Sequence, residues 1–177
     1  NAKIPIAHIS GGEVTEGAID DAVRHCVTKL SYLHFPACET YRRRIIQLGE
    51  SPDRVFNVGD PGVENVKTMK LLSENVLRKK LSLDSDIPYF TVVFHPVTLD
   101  DTKPGKQIQE LLNAIEKFEN IMFVVMKANA DSGGEIINKY WQKFSDTHVN
   151  CKLFSSLRVE EYLSLQKYYI FKFLNCI

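Results

Sequence analysis

Residues 4–35 read IPIAHISGGEVTEGAIDDAVRHCVTKLSYLHF, and the alternation within that stretch decides the fold. It opens with a short apolar run at 4–9, too brief for a helix and bounded by turn residues. A glycine pair follows. Ile19, Ala22, Val23, Cys26, Val27 and Leu30 then recur at intervals of three and four, so one side of a helix is apolar. Asp20, Asp21, Arg24, His25 and Thr28 fall off that stripe. A second short apolar run closes the stretch at 33–35. Strand, helix, strand is a βαβ unit, and such units close right-handed onto a parallel sheet.

The same rhythm extends along the chain. Further strands are expected at 55–58, 89–94, 121–126 and 151–154, in apolar runs of the kind that parallel strands buried on both faces carry. Helices are expected at 41–48, at 106–118, at 135–144 and at 159–168. Gly49 stands where a left-handed residue would close the first of these. A polar, Lys-rich helical segment at 66–86 interrupts the alternation and ends before Pro88, so the chain divides into residues 1–68 and 69–177. The fold class is α/β, built from parallel-sheet Rossmann-like units.

Composition narrows the function. With 177 residues, 44% of them hydrophobic and 25% charged, this is the composition of a folded globular chain. Its 22 basic and 22 acidic side chains cancel, which removes any bulk electrostatic reason for nucleic acid or an anionic membrane as partner. Phosphate binding, if present, is local. The longest apolar runs are far too short to span a bilayer. The four cysteines, Cys26, Cys38, Cys151 and Cys176, are scattered without a C-x-x-C pair, which fits reduced thiols in a cytoplasmic protein. Tyr140, Trp141 and Phe144 sit at helical spacing and read as core, and Arg42, Arg43 and Arg44 read as a solvated helix face. Asn1 is not an initiator and the apolar tail at 168–177 carries no stop signal, so the chain is expected to be an internal piece of a longer protein.

Ligands of open parallel sheets bind beyond the carboxyl ends of the strands, and three loops there have unusual content. The first is His8-Ile9-Ser10-Gly11-Gly12-Glu13, leading to Asp20 and Asp21. Its glycines either form a simple turn or let backbone amides approach a ligand closely, with Glu13, Asp20, Asp21 and His25 as candidate acids and bases nearby. The second is Phe94-His95-Pro96-Val97-Thr98, where a histidine at a strand tip either meets a ligand or binds a neighbouring carbonyl. The third, Lys127-Ala128-Asn129-Ala130-Asp131-Ser132-Gly133-Gly134, either caps a helix or presents amides to a phosphate or sugar.

Taken together and in order, these loops resemble the UDP-N-acetylglucosamine 2-epimerase family. Ile19-Asp20-Asp21, Arg24-His25, Asn57-Val58-Gly59 and the run from Ser156 to Leu163 continue the likeness, over residues 2–168. Gly11-Gly12-Glu13 and His95-Pro96-Val97-Thr98 are most similar to the UDP-hydrolysing, sialic-acid-pathway branch. The resemblance implies a GT-B type two-domain fold, here incomplete at both ends. Residues 1–68 would be the second half of the N-terminal Rossmann-like domain. Residues 69–177 would be connector helices and the first part of the C-terminal nucleotide-binding domain.

The implied reaction converts UDP-N-acetylglucosamine and water to N-acetylmannosamine and UDP through elimination to a glycal. It implies Glu13, Asp20, Asp21 and His25 as the acid–base set. His8, Ser10, Gly11, Gly12, Arg24, His95, Asn129 and Asp131 would contact substrate. It also implies no metal or redox cofactor, a UDP-N-acetylhexosamine as substrate, no nucleic acid or membrane partner, and a homo-oligomer when full length. Ser10 stands where relatives carry an acid or a histidine, and Ala128 where they carry proline. The Gly-Asn-Ser-Ser loop that grips UDP in relatives has no counterpart after Tyr168. A non-hydrolysing epimerase, an inactive nucleotide-sugar-binding remnant and a GT-B glycosyltransferase therefore stay as alternatives.

Overall fold

The computed structural model describes residues 3–84, 87–96, 103–130, 133–168 and 171–174, the last of these by backbone alone. The chain forms two compact units, Asn1–Thr68 and Met69–Ile177.

In the first unit, β1 (Ala7–Ile9) pairs in parallel with β2 (Leu33–Phe35) across α1 (Asp20–Leu30), with His8 beside His34 in register. Then come α2 (Glu39–Gln47), a 3-10 turn at Pro52–Arg54 and α3 (Pro61–Thr68). The run at 4–9 pairs as a strand only from Ala7. The strand expected at 55–58 shrinks to a single bridge between Val55 and His34. Phe56 N–H donates to the His34 carbonyl at 2.9 Å and Val58 N–H to that of Pro36 at 3.2 Å. Pro36 has no N–H to return, so the ladder cannot become reciprocal.

Helix α1 faces the opposite way from its stripe. Ile19, Val23 and Leu30 are 57%, 52% and 73% exposed, while Thr28 is fully buried. Polar contacts decide this orientation. His8 points from β1, and its ring nitrogen finds a partner on α1. Thr28 meets His8 Nδ1 at 3.1 Å and Ser31 donates back to the Val27 carbonyl at 2.7 Å. Helix α2 ends as its glycine predicts. Gly49, at φ +96°, donates to the Ile46 carbonyl at 2.9 Å and Glu50 to that of Ile45 at 3.4 Å. These are the paired bonds of a Schellman closure.

The second unit contains α4 (Glu74–Leu81), β3 (Tyr89–Val93), α5 (Pro104–Ile115), β4 (Met122–Met126), α6 (Gly134–Thr147), β5 (Cys151–Phe154), α7 (Val159–Tyr168) and β6 (Phe171–Leu174). Its sheet has the order β5-β4-β3-β6, parallel throughout. Side chains alternate across it. Phe123 and Val125 pack with Ile108, Leu112, Ile137 and Trp141 of α5 and α6. Met122 and Val124 pack with Leu77, Leu81 and Leu165 of α4 and α7. Trp141 and Phe144 are core as expected, whereas Tyr140, expected with them, is exposed. Burial pushes the Cys151 thiol up to about 12, which keeps it protonated and unreactive.

Strand β6 is not expected from the sequence, in which 168–177 is only an apolar tail. Phe90 pairs with Phe171 and Val93 with Leu174, in parallel. Within the polar segment at 66–86, the described residues include the end of α3 and the separate α4. Helix α7 starts with Glu161 reaching back to the Arg158 backbone N–H at 2.9 Å, half of a capping box. Lys80 of α4 meets the same carboxylate at 2.6 Å.

Ser82 follows α4 in the left-handed region at φ +54°, where a Cβ costs about 1 kcal/mol. Ser82→Gly is expected to raise the stability of this unit by about 0.5 kcal/mol, read as a higher urea midpoint at unchanged slope. The hydrogen bond from Lys80, then that from the Arg158 N–H, hold the Glu161 carboxyl below its ordinary range. A lowered acid stabilises above its unfolded value, about 4.3, and that contribution disappears as pH falls through the folded value. Denaturation midpoints are therefore expected to fall on acidification below about pH 4.3, and less steeply in Glu161→Gln.

Candidate active site

In the first unit the glycine loop is fixed from three sides. Ser10 takes the left-handed conformation at φ +62°, rare for a residue with a side chain, and its N–H donates to the Phe35 carbonyl at 3.1 Å. Gly12 sits at φ +80°, and a Cβ there would lie 2.4 Å from the Tyr41 carbonyl oxygen. Only glycine fits. The Arg44 guanidinium donates to the Gly12 carbonyl, and Arg42 Nε donates to that of Val55 at 3.1 Å. The arginines are therefore not one solvated face: Arg43 is exposed, while Arg42 and Arg44 hold backbone.

Thr15 fastens the rest of the loop to α1. Its N–H donates to Asp21 Oδ1 at 3.0 Å, and its hydroxyl accepts from Arg24 Nη1 at 3.0 Å. Asp21 Oδ2 stands 3.6 Å from His25 Nε2. Asp21, Arg24 and His25 thus form one cluster over the start of α1. Glu13 and Asp20 do not share in it: neither side chain makes a hydrogen bond or ion pair among the described residues.

Beneath the loop lies a buried ionisable group of side chains. His34 is fully buried, and its Nε2 stands 3.3 Å from Glu50 Oε2. That is ion-pair range, but neither ring nitrogen of His34 has a hydrogen-bond partner. The Lys29 ammonium, hydrogen-bonded to Glu50, holds that carboxyl below its usual range against the opposing effect of burial. Burial, then the neighbouring charges of His34 and Arg24, pull the His8 imidazole down.

In the second unit the two remaining loops meet at the carboxyl ends of β3 and β4. Asn129 N–H donates to His95 Nδ1 at 3.4 Å. Gly133, at φ +90°, packs so tightly that a Cβ would lie 2.6 Å from Pro104 Cγ. A Cβ on Gly134 would lie 2.2 Å from the Asn129 carbonyl oxygen. Helices α5 and α6 begin at Pro104 and Gly134, so their N-terminal amides and positive dipole ends lie beside this edge. Such ends suit a phosphate. Asp131 lies outside the described residues, as do Val97, Thr98 and Ser132.

Sequence reasoning passed over several residues that shape these loops. Asn138 of α6 holds residue 128 by both backbone groups, accepting from Ala128 N–H at 2.8 Å and donating to its carbonyl at 3.0 Å. Thr15 and Arg44 hold the first loop. Asn138, inside a helix, carries no local signal of this task. The intervals to Thr28 and Arg44 become meaningful only once the strands are paired.

The family model described as UDP-N-acetylglucosamine 2-epimerase matches residues 1–171. The chain is 39% identical over 165 residues to the hydrolysing GDP/UDP-N,N'-diacetylbacillosamine 2-epimerase of Campylobacter jejuni, covering 93% of this chain and 43% of that protein. It is 42% identical over 168 residues to polysialic acid biosynthesis protein P7 of Escherichia coli, covering 94% and 42%. Among solved structures, the UDP-GlcNAc 2-epimerase of Methanocaldococcus jannaschii in complex with UDP-GlcNAc and UDP matches with a TM-score of 0.67 at 17% identity, over 96% of this chain and 48% of that one. At that identity the likeness is one of fold, parallel α/β units of the GT-B type. The chain spans about two fifths of the length of the curated relatives it matches. A family match over nearly all of its residues places this chain in the UDP-N-acetylglucosamine 2-epimerase family.

Proposed function

We propose that the full-length protein carrying these residues is a hydrolysing 2-epimerase of a UDP-linked N-acetylhexosamine, acting in amino-sugar and sialic-acid precursor synthesis. The observation that carries this reading is the identity to the C. jejuni relative, whose name states hydrolysis. The Gly11-Gly12-Glu13 and His95-Pro96-Val97-Thr98 sequences agree with it. In the reaction a base removes the C2 proton while the C1–O bond breaks and its electron pair leaves with UDP. Water then adds to C1 of the 2-acetamidoglucal, and C2 is reprotonated on the opposite face. Proton removal and return on opposite faces call for two separate acid–base groups.

Glu13 and Asp20 are the side chains we assign to those two tasks, because among the described residues no protein partner holds them. Asp21, Arg24 and His25 take supporting places: their bonds around Thr15 set the loop on which Glu13 sits. Ser10 can hydrogen-bond a sugar hydroxyl but cannot remove a proton from carbon unaided. His95, with the amides at the start of α6, is our candidate for the departing diphosphate, and Asn129 and Asp131 for the nucleotide side. Residues 1–68 then belong to the second half of an N-terminal domain, and residues 69–177 to connector helices and the first part of a nucleotide-binding domain. A cytoplasmic homo-oligomer is the accompanying proposal. Among the described residues no helix is long and apolar enough to cross a membrane.

The test uses the full-length protein with UDP-N-acetylglucosamine, and in parallel with UDP-N,N'-diacetylbacillosamine, in deuterated water. The expected products are UDP and a free 2-epimerised sugar carrying one deuterium at C2. A product still linked to UDP would replace this reading with the non-hydrolysing reaction. Glu13→Gln and Asp20→Asn are each expected to lower kcat by about a hundredfold or more. Asp21→Asn keeps an oxygen for the Thr15 N–H and should lose less. Equal losses in all three would return Asp21 to the acid–base pair.

A further inference from the structure

The bond between Thr28 and His8 has a direction that the remaining bonds fix. A threonine hydroxyl has one proton to donate. Thr28 Oγ1 donates to the Arg24 carbonyl at 3.0 Å, one turn back on its own helix. Toward His8 Nδ1, at 3.1 Å, the hydroxyl oxygen can then only accept. The proton of that contact belongs to the imidazole, so neutral His8 carries hydrogen on Nδ1 and a lone pair on Nε2. Nε2 has no partner among the described residues, and it is not among the buried unpaired ring nitrogens. The ring is pressed against the glycine loop: a Cβ on Gly11 would lie 2.9 Å from His8 Nδ1 and 3.3 Å from Thr28 Oγ1.

We propose that Thr28 is a positioning residue that fixes the tautomer of His8, so that Nε2 accepts a hydrogen bond from an N–H or O–H donor of the bound hexosamine. The proposal rests on the epimerase reading for its ligand but not for its tautomer. Arg24 and Thr28 on α1, His34 on β2 and the Glu50–Lys29 pair behind His34 make up the polar surroundings of the ring. Burial, then the charges of His34 and Arg24, keep His8 neutral to lower pH than a free imidazole. Protonation at still lower pH would place hydrogen on Nε2 and abolish the acceptor. Binding of the sugar is therefore expected to fail on an acid limb lying below about 6.5, the ordinary histidine value.

Two-bond 15N–1H correlation spectra of the labelled full-length protein read the tautomer directly. With five histidines in these 177 residues alone, His8→Gln assigns the resonance. Wild type and Thr28→Ser are expected to show a protonated Nδ1 and a pyridine-type Nε2, and Thr28→Val a shift toward hydrogen on Nε2. A wild-type His8 protonated on Nε2, or an unchanged tautomer in Thr28→Val, overturns the proposal. If Thr28→Val does not fold, the wild-type and Thr28→Ser spectra still decide. In the full-length protein, bound UDP-N-acetylglucosamine should move the His8 Nε2 resonance while UDP alone should not. UDP-glucose then separates the two donors: a shift only with the acetamido sugar identifies the N–H, and a shift with both identifies a hydroxyl. No shift with bound sugar nucleotide overturns the acceptor role. Thr28→Val should lower kcat/KM about tenfold, the worth of one hydrogen bond, with Thr28→Ser restoring it. Loss of all turnover in the wild type would count against the epimerase reading and leave the spectra to judge His8.

Discussion

The parallel pairing of β3 with β4 is the constraint on which the second unit depends. Five residues of each strand run side by side in the same direction, so the chain must cross a face of the sheet between them. That crossing is α5, and the next, from β4 to β5, is α6. Both helices bury one face of the sheet while α4 and α7 bury the other, which is why β4 is apolar at every position. The same requirement returns every strand end to one edge. His95, Asn129 and the Gly133-Gly134 turn meet there because the ladder leaves them nowhere else to go.

The first unit is held by different means. Its two paired strands are three residues long, and the layer between them and α1 contains hydroxyl, imidazole, carboxylate and ammonium groups. Polar groups removed from water are costly unless matched; here Thr28 and His8, and Lys29 and Glu50, are matched by directional bonds, while His34 stands at ion-pair distance from Glu50. Thr28, His8, His34, Glu50 and Lys29 hold β1, β2 and α1 in one arrangement. An apolar layer of the same size would tolerate sliding. The loop bearing Glu13 hangs from this layer by Gly11 and from α2 by Gly12, so its conformation follows from the placement of two helices.

Much of this was legible in the residues. The runs at 33–35 and 151–154 and the helix at 159–168 are observed with the same bounds, because each is flanked by turn residues or a capping acid. The Gly49 closure was legible from a glycine behind an apolar repeat. Helix α1 was not. Its hydropathy pattern is real, but periodicity names the apolar side and cannot say that the strands opposite would present histidines. Arg42 and Arg44 escaped for a related reason: a guanidinium bound to a distant carbonyl looks, in sequence, like any charge on a helix. Strand β6 was missed because its neighbours identify it, not its composition. For the site, the loops and their acids were readable, whereas Thr15, Thr28 and Asn138 act through bonds that exist only in three dimensions.

Asn138 carries a consequence of its own. A side-chain amide that satisfies both backbone groups of Ala128 takes the place of a neighbouring strand, giving one residue of a loop the pairing that sheets give to strands. That residue is tied to the middle of a helix whose other side chains, Ile137 and Trp141, are fully buried. The Ala128 amide is free to exchange its hydrogen with water only when the Asn138 side chain releases it. A residue at the carboxyl end of β4 is thereby anchored to a core helix, and the neighbouring Asn129 starts from a fixed point when a ligand arrives.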